Sequence, residues 1–226
     1  MASETVENYL KAIFTLCRES PTGEVGMTRL AAAVGVTTGT ATSMVKKLAA
    51  GRFVKYKRFG GVSLTPKGSR IALDILRRHR LIETFLVETL KLDWSVVHAE
   101  AERLEHAVSP VVLEALDALL GRPGVDPHGD PIPDAAGRLR HSSTLIAISD
   151  CKPGSRVRLA RVLNQGSEFL RFLDRHCLKL DSVFTIEDAD SGAGTITLRT
   201  ESGDTITLSE TVASSLLVDA GALEIE

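Results

Sequence analysis

Apolar residues recur along this chain with two different periods. Val6, Leu10, Ile13, Phe14 and Cys17 fall at helical spacing and predict an amphipathic helix over 4–18, interrupted by Pro21-Thr22-Gly23. Residues 27–34 predict a short helix with Thr28 at its N-cap, and after the turn at Gly35-Val36 a second helix covers 37–48, with Gly51 as its C-cap. Residues 53–59 and 62–65 read as strands of a hairpin around Gly60-Gly61. Thr65-Pro66 then opens a long helix, with proline at the first helical position, running to about Leu90. Asp93-Trp94-Ser95 is a turn before a helix over 96–108, and Ser109-Pro110 caps another over 111–120. The latter carries an apolar face of Val112, Leu113, Leu116, Leu119 and Leu120. From Cys151 the period falls to two, with strands at 156–162, 183–187, 195–199 and 205–208 and short helices at 167–176 and 210–217.

This order predicts an α+β chain in three parts. Residues 1–73 form a winged helix-turn-helix, 74–140 an all-helical domain, 141–150 a linker, and 151–226 a small SH3-like β-barrel. The segment from Gly121 to Gly137, with Pro123, Pro127, Pro131 and Pro133, reads as an ordered loop.

Charge divides the chain more sharply than its net value of −2 implies. Residues 1–80 carry 14 Lys/Arg against 5 Asp/Glu, and residues 81–226 carry 13 against 24. A basic first third is the footprint of a polyanion-binding module, and the acidic remainder suits cations. In the predicted second helix of the helix-turn-helix, Thr37, Thr38, Thr40 and Ser43 offer small polar groups to base edges, while Lys46 and Lys47 suit phosphates. Lys55, Lys57 and Arg58 make the wing basic. Three isolated cysteines, Cys17, Cys151 and Cys177, argue against a disulfide framework or a zinc ribbon. The first residues lack the apolar run of a signal peptide, and no stretch is long and apolar enough for a membrane span, so a cytoplasmic location is expected.

The candidate chemistry lies in 98–106. On one continuous helix His98, Glu102, Glu105 and His106 would share a face. Stacked carboxylates and imidazoles are costly to bury unless paired or coordinated, which points to a metal. His79 and Glu83 repeat the four-residue step one helix earlier. The ordinary alternative is a solvated polar face with incidental histidines.

These features together resemble the diphtheria toxin repressor/manganese transport repressor family of metal-dependent regulators, in its three-domain form with a FeoA-like barrel. The resemblance rests on Glu7-Asn8-Tyr9-Leu10, Leu64-Thr65-Pro66-Lys67-Gly68, Arg78-His79-Arg80-Leu81 and Glu102-Arg103-Leu104-Glu105-His106, with further support from the loop 126–133. It implies a homodimeric repressor that binds palindromic double-stranded operator DNA of metal-uptake genes when loaded with Mn²⁺ or Fe²⁺. It also implies a primary site of Asn8, Glu102, Glu105 and His106, and an ancillary site of His79, Glu83 and His98 completed by Gln165 and Glu168 from the barrel. Asp126 and His128 compete for that last role. A carboxylate at position 102 marks manganese-type members, and hard oxygen donors suit Mn²⁺. Asn8 replaces the aspartate of manganese-type members, and Lys11 stands where those with a two-metal cluster use glutamate, which argues against a second adjacent ion.

Two other classes fit parts of the pattern. A carboxylate-bridged di-metal enzyme wants Glu-x-x-His pairs, but Leu76 and Arg103 stand three residues before His79 and His106. No nucleophile–base arrangement appears, and Gly192-Ala193-Gly194 lacks the context of a nucleotide site. The expectation is therefore a protein that is not an enzyme. A metal-independent winged-helix regulator would leave the acidic face merely solvated.

Overall fold

The structure, a computed structural model, describes residues 3–58, 60–139 and 145–219. Its contacts divide it into two compact units, one of residues 1–79, 105–108 and 133–138, the other of 80–104, 109–132 and 139–226.

The first unit holds α1 (Glu4–Glu19), α2 (Met27–Ala33), α3 (Thr38–Ala50), strands β1 (Val54–Tyr56) and β2 (Val62–Leu64), and the beginning of α4 (Pro66–Glu88). Ser3 caps α1 by accepting from Val6 N, and Thr37 caps α3 by accepting from Thr40 N. The apolar stripe read from sequence does become core: Leu10 and Ile13 of α1 pack with Leu30, Val45, Leu48 and Val62. Two local expectations change. The N-cap of α2 is Gly26, so Thr28 lies inside the first turn. Gly51 does cap α3, but at φ −74°, and the left-handed residue is Arg52 at φ +59°. The wing pairs antiparallel with Val54 opposite Leu64 and Tyr56 opposite Val62. Its strands are shorter than predicted, since Gly60 N donates to Lys57 O and Lys57 N to Gly61 O; Phe59 lies outside the described residues. Gly68 lets α4 press on this hairpin, since a Cβ there would stand 2.1 Å from Phe53 O.

The second unit takes α4 from Arg80 onward, α5 (Val97–Leu104), α6 (Pro110–Leu119), the proline loop and a six-stranded sheet. The sheet strands are β3 (Ile146–Ala147), β4 (Arg156–Val162), β5 (Val183–Asp190), β6 (Thr195–Thr200), β7 (Thr205–Ser209) and β8 (Leu216–Asp219), in the order β3-β8-β4-β5-β6-β7 with every pairing antiparallel. Irregularities at Leu159/Arg161 and Ile186/Asp188 bend β4 and β5. Helices α7 (Ser167–Arg175) and α8 (Glu210–Ala213) pack Leu170, Leu173 and Ala213 into a core with Leu159, Phe184, Leu198 and Val218.

Three expectations are corrected here. The helix predicted over 210–217 stops at Ala213, and Leu216–Asp219 is a strand between β3 and β4. In the segment expected as a linker, Ile146–Ala147 is already β3 and Ile148 is fully buried, while 141–144 lie outside the described residues. The helix predicted over 96–108 ends at Leu104, so Glu105 and His106 sit in a turn before Ser109-Pro110 and do not continue the face begun by His98. Among the described residues no helix is long and apolar enough to cross a membrane.

Candidate metal centres

In the first unit, α1 presents Glu7, Asn8 and Lys11, α4 presents His79, and the turn after α5 contributes Glu105 and His106. Glu105 is wholly buried. Lys11 Nζ donates to both of its oxygens, at 2.7 and 2.9 Å, and His79 Nδ1 lies 2.6 Å from Oε2. His106 Nδ1 lies 2.8 Å from Glu7 Oε2, while its Nε2 is 2.8 Å from Asn8 Oδ1 and 3.5 Å from Glu105 Oε1. A carboxylate oxygen accepts, so Nδ1 of His106 donates to Glu7, while Nε2 is the nitrogen turned toward two further acceptors, Asn8 Oδ1 and Glu105 Oε1. Glu7 therefore orients His106. Sequence reasoning quoted Glu7 in a motif without assigning it to the site; its place directly before Asn8 was the available signal.

In the second unit, Glu83 and His98 meet with His98 Nδ1 3.1 Å from Glu83 Oε1, and His98 Nε2 is 3.9 Å from Glu102 Oε1 one turn along α5. The proline loop brings Asp126 and His128 to Glu83 as well. One ligand atom from each of Glu83, Asp126 and His128 lies within 4.8 Å of the others, and all three residues are buried. His128 Nε2 is 3.1 Å from the carbonyl of Trp94, which can only accept, so the proton is on Nε2 and the lone pair on Nδ1. Nδ1 makes no hydrogen bond, and Glu83 Oε2 is 3.9 Å away. Burial also pushes the His128 imidazole below its usual range, which keeps it neutral. Asp126 Oδ2 makes no hydrogen bond either, although Arg80 Nε stands 3.5 Å from it. Burial, and then the carboxylates of Asp130 and Glu83, hold the Asp126 carboxyl well above the ordinary range.

A shell of contacts fixes this loop. Asp126 Oδ1 accepts from His128 N and Asp130 N, both at 2.9 Å. Arg80 donates to Pro131 O at 2.5 Å and pairs with Asp130 at 3.3 Å; Arg161 also pairs with Asp130. Trp94 stacks on His128 with centroids 5.7 Å apart. Arg80 and Asp130 lie in stretches that carry the resemblance and Trp94 in a predicted turn, but none of them, nor Arg161, was assigned to the site from sequence. The residues expected to complete an ancillary site behave differently from one another. Gln165 Nε2 donates to Asp130 Oδ2 at 3.0 Å, so it reaches the shell. Glu168 is exposed on α7 and joins no group of three candidate ligands among the described residues.

The expected DNA-facing residues are all exposed. Thr37, Thr38, Thr40, Ser43, Lys46 and Lys47 are exposed at and along α3, and Lys57 and Arg58 are exposed in the wing. Thr37 and Thr40 also serve the helix end, their hydroxyls 2.9 Å apart.

Comparison with known proteins agrees with this geometry. Residues 1–62 match the model of the iron dependent repressor N-terminal DNA binding domain, 65–134 that of the iron dependent repressor metal binding and dimerisation domain, and 146–220 the FeoA domain. The transcriptional regulator MntR of Salmonella typhimurium is 35% identical over 117 residues, which are 52% of this chain and 71% of that protein. The iron-dependent repressor IdeR of Mycobacterium tuberculosis is 34% identical over 130 residues, 58% of this chain and 56% of IdeR. A solved manganese-dependent transcriptional repressor in complex with manganese is 37% identical with a TM-score of 0.88, covering 95% of this chain and 99% of its own. With matches to all three modules, this chain belongs to the diphtheria toxin repressor/manganese transport repressor family, in its three-domain form.

Proposed function

We propose that this protein is a homodimeric, metal-dependent transcriptional repressor that controls metal-uptake genes by binding palindromic operators, with Mn²⁺ as its preferred ion and Fe²⁺ as the alternative. The observation that carries the reading is the pair of imidazole–carboxylate clusters, each with a histidine whose outer nitrogen is fixed by an acceptor. Oxygen and imidazole donors without thiolate fit Mn²⁺ or Fe²⁺. Asp126 Oδ2, with no hydrogen bond and only the Arg80 ion pair at 3.5 Å, and the unbonded His128 Nδ1 fit a cation better than they fit a sealed core.

The primary set is Asn8, Glu102, Glu105 and His106, with Glu7 orienting His106 and His79 orienting Glu105. We assign the second set to Glu83, His98, Asp126 and His128 instead of the Gln165 and Glu168 expected from sequence. Gln165 instead supports Asp130. A bound divalent ion would supply the positive charge that these carboxylates otherwise take from protein cations.

The remaining steps belong to the chain. Holding Asn8 of α1 beside Glu105 and His106 fixes α1, against which the helix-turn-helix is packed through Leu10 and Ile13. Thr38, Thr40 and Ser43 would then meet base edges, and Lys46, Lys47, Lys57 and Arg58 the phosphates. Val111, Val112 and Leu119 of α6 are 80%, 49% and 65% exposed, and they are proposed to pack against a second copy, giving two recognition helices related by a two-fold axis. Metal and operator affinities then become linked, each raising the other. The test is a DNA-binding titration against Mn²⁺, Fe²⁺, Co²⁺ and Zn²⁺ under reducing conditions. Binding is expected to need metal, and tight sequence-specific binding in excess chelator would overturn the proposal.

A further inference from the structure

The contact between Lys11 and Glu105 has no place in a simple list of metal ligands. Glu105 is fully buried, yet both of its oxygens are bonded to one ammonium, at 2.7 and 2.9 Å. A carboxylate so placed needs positive charge or several hydrogen bonds. His79 at 2.6 Å supplies one contact, and Lys11 supplies the formal charge.

We propose that Lys11 is a tethered counter-cation of the primary site, which occupies Glu105 in the metal-free protein and must be displaced by the incoming ion. The inference rests on Glu105 and His106 being metal ligands, as argued above. Lys11 has the build for exchange. Its side chain is 13% exposed, and its four-carbon stem can carry the ammonium from Glu105 to water without moving the backbone of α1. Two properties follow from one contact. The metal-free first unit keeps Glu105 compensated and stays folded, and the divalent ion binds less tightly than the same donors would otherwise allow. Lys11 thereby sets the metal concentration at which the site fills. It also favours an ion carrying two charges over a monovalent one, because only the stronger field recovers what the displaced ammonium gave.

The test measures Mn²⁺ affinity by calorimetry and the melting of metal-free protein for the parent, Lys11→Met, Lys11→Gln, Lys11→Arg and Glu105→Gln. Both neutral variants should bind the Glu105-dependent ion about tenfold tighter or more, the equivalent of one charge-assisted hydrogen bond no longer broken. They should also melt at lower temperature without metal. Lys11→Arg, which keeps the charge, should stay near the parent in both readouts. Unchanged or weakened Mn²⁺ affinity in both neutral variants would overturn the proposal and make Lys11 a structural residue. Glu105→Gln tests the underlying reading separately. Loss of tight Mn²⁺ binding in that variant supports the site whatever Lys11 does, and retained binding would overturn the site itself.

Discussion

Gly129 is where the backbone of the proline loop meets the sheet, and replacing it by alanine tests how that loop is held. Its φ is +84°, and an added Cβ would stand 2.1 Å from Ala160 O and 2.7 Å from Arg161 Cα, both backbone atoms of β4. A side chain in this region of φ costs about 1–2 kcal/mol, and overpacking costs about 1–3 kcal/mol more. Gly129→Ala should therefore destabilise the second unit by about 2–5 kcal/mol. Gly203→Ala is the matched control, with φ +92° and nothing within 4 Å of the new Cβ, so it should cost only the conformational term of about 1–2 kcal/mol. Urea unfolding followed by Trp94 emission is a suitable assay, because Trp94 is the only tryptophan and stacks on His128. The clash has a functional consequence as well. His128 O accepts from Val162 N at 2.8 Å, so a loop that backs away from β4 takes His128 with it. The variant should lose the ion assigned to Glu83 and His128 while keeping the one assigned to Glu105. Equal destabilisation by the two substitutions, or full metal stoichiometry in Gly129→Ala, would refute the argument that close approach at this glycine holds the loop.

Three further outcomes are expected. Glu7→Gln should weaken Mn²⁺ binding at the primary site about 10–100-fold, the usual effect of losing the group behind a metal-bound histidine, as calorimetry would show. Paramagnetic Mn²⁺ should quench Trp94 emission in the parent and fail to do so in His128→Ala, in a simple fluorescence titration. Alanine at Lys46, Lys47 or Arg58 should each reduce the slope of log binding constant against log salt by about one unit, whereas changes at Thr38, Thr40 or Ser43 should alter which operator is preferred.

How much of this was legible in the sequence depends on whether a residue's fate is local. The winged helix was readable because its helices follow their own apolar period, and the start of α6 because its cap Ser109 acts within four residues of itself. The turn at 105–106 was not. Helical periodicity continues through Glu105 in the sequence, but its carboxylate is held by Lys11, 94 positions away, and His106 by Glu7, 99 positions away. Such contacts outweigh local propensity and leave no local trace. Similarly, Leu216–Asp219 is a short apolar run whose length and composition fit either a helix end or a buried strand, and only the vacancy between β3 and β4 decides. The choice between Gln165 with Glu168 and their rivals Asp126 with His128 was likewise not local. Position in an ungapped comparison placed Gln165 and Glu168, whereas the loop reaches Glu83 through a turn made by Asp126 itself, bonding to His128 N and Asp130 N.

The two histidines also show how each site is tied to a different part of the fold. His106 is fixed through Nδ1 by Glu7, so it presents Nε2; His128 is fixed through Nε2 by the Trp94 carbonyl, so it presents Nδ1. In the first case the fixing group stands on α1, the helix that packs the helix-turn-helix, and moving His106 without moving Glu7 would leave a half-buried carboxylate unpaired. In the second it is the backbone just before α5, and Trp94 itself donates from Nε1 to Asp174 on α7 at 2.8 Å, while Ser167 donates to the neighbouring Ser95 carbonyl at 2.7 Å. The sheet domain thus grips the segment that sets the tautomer of His128. An ion that holds His128 Nδ1 must also favour the position of Trp94 that keeps Nε2 protonated, and hence the docked position of α7. If His128 is the ligand proposed above, the FeoA-type domain need supply no ligand of its own to be coupled to the metal, since through Asp174 and Ser167 it acts on the segment whose carbonyl holds His128 Nε2.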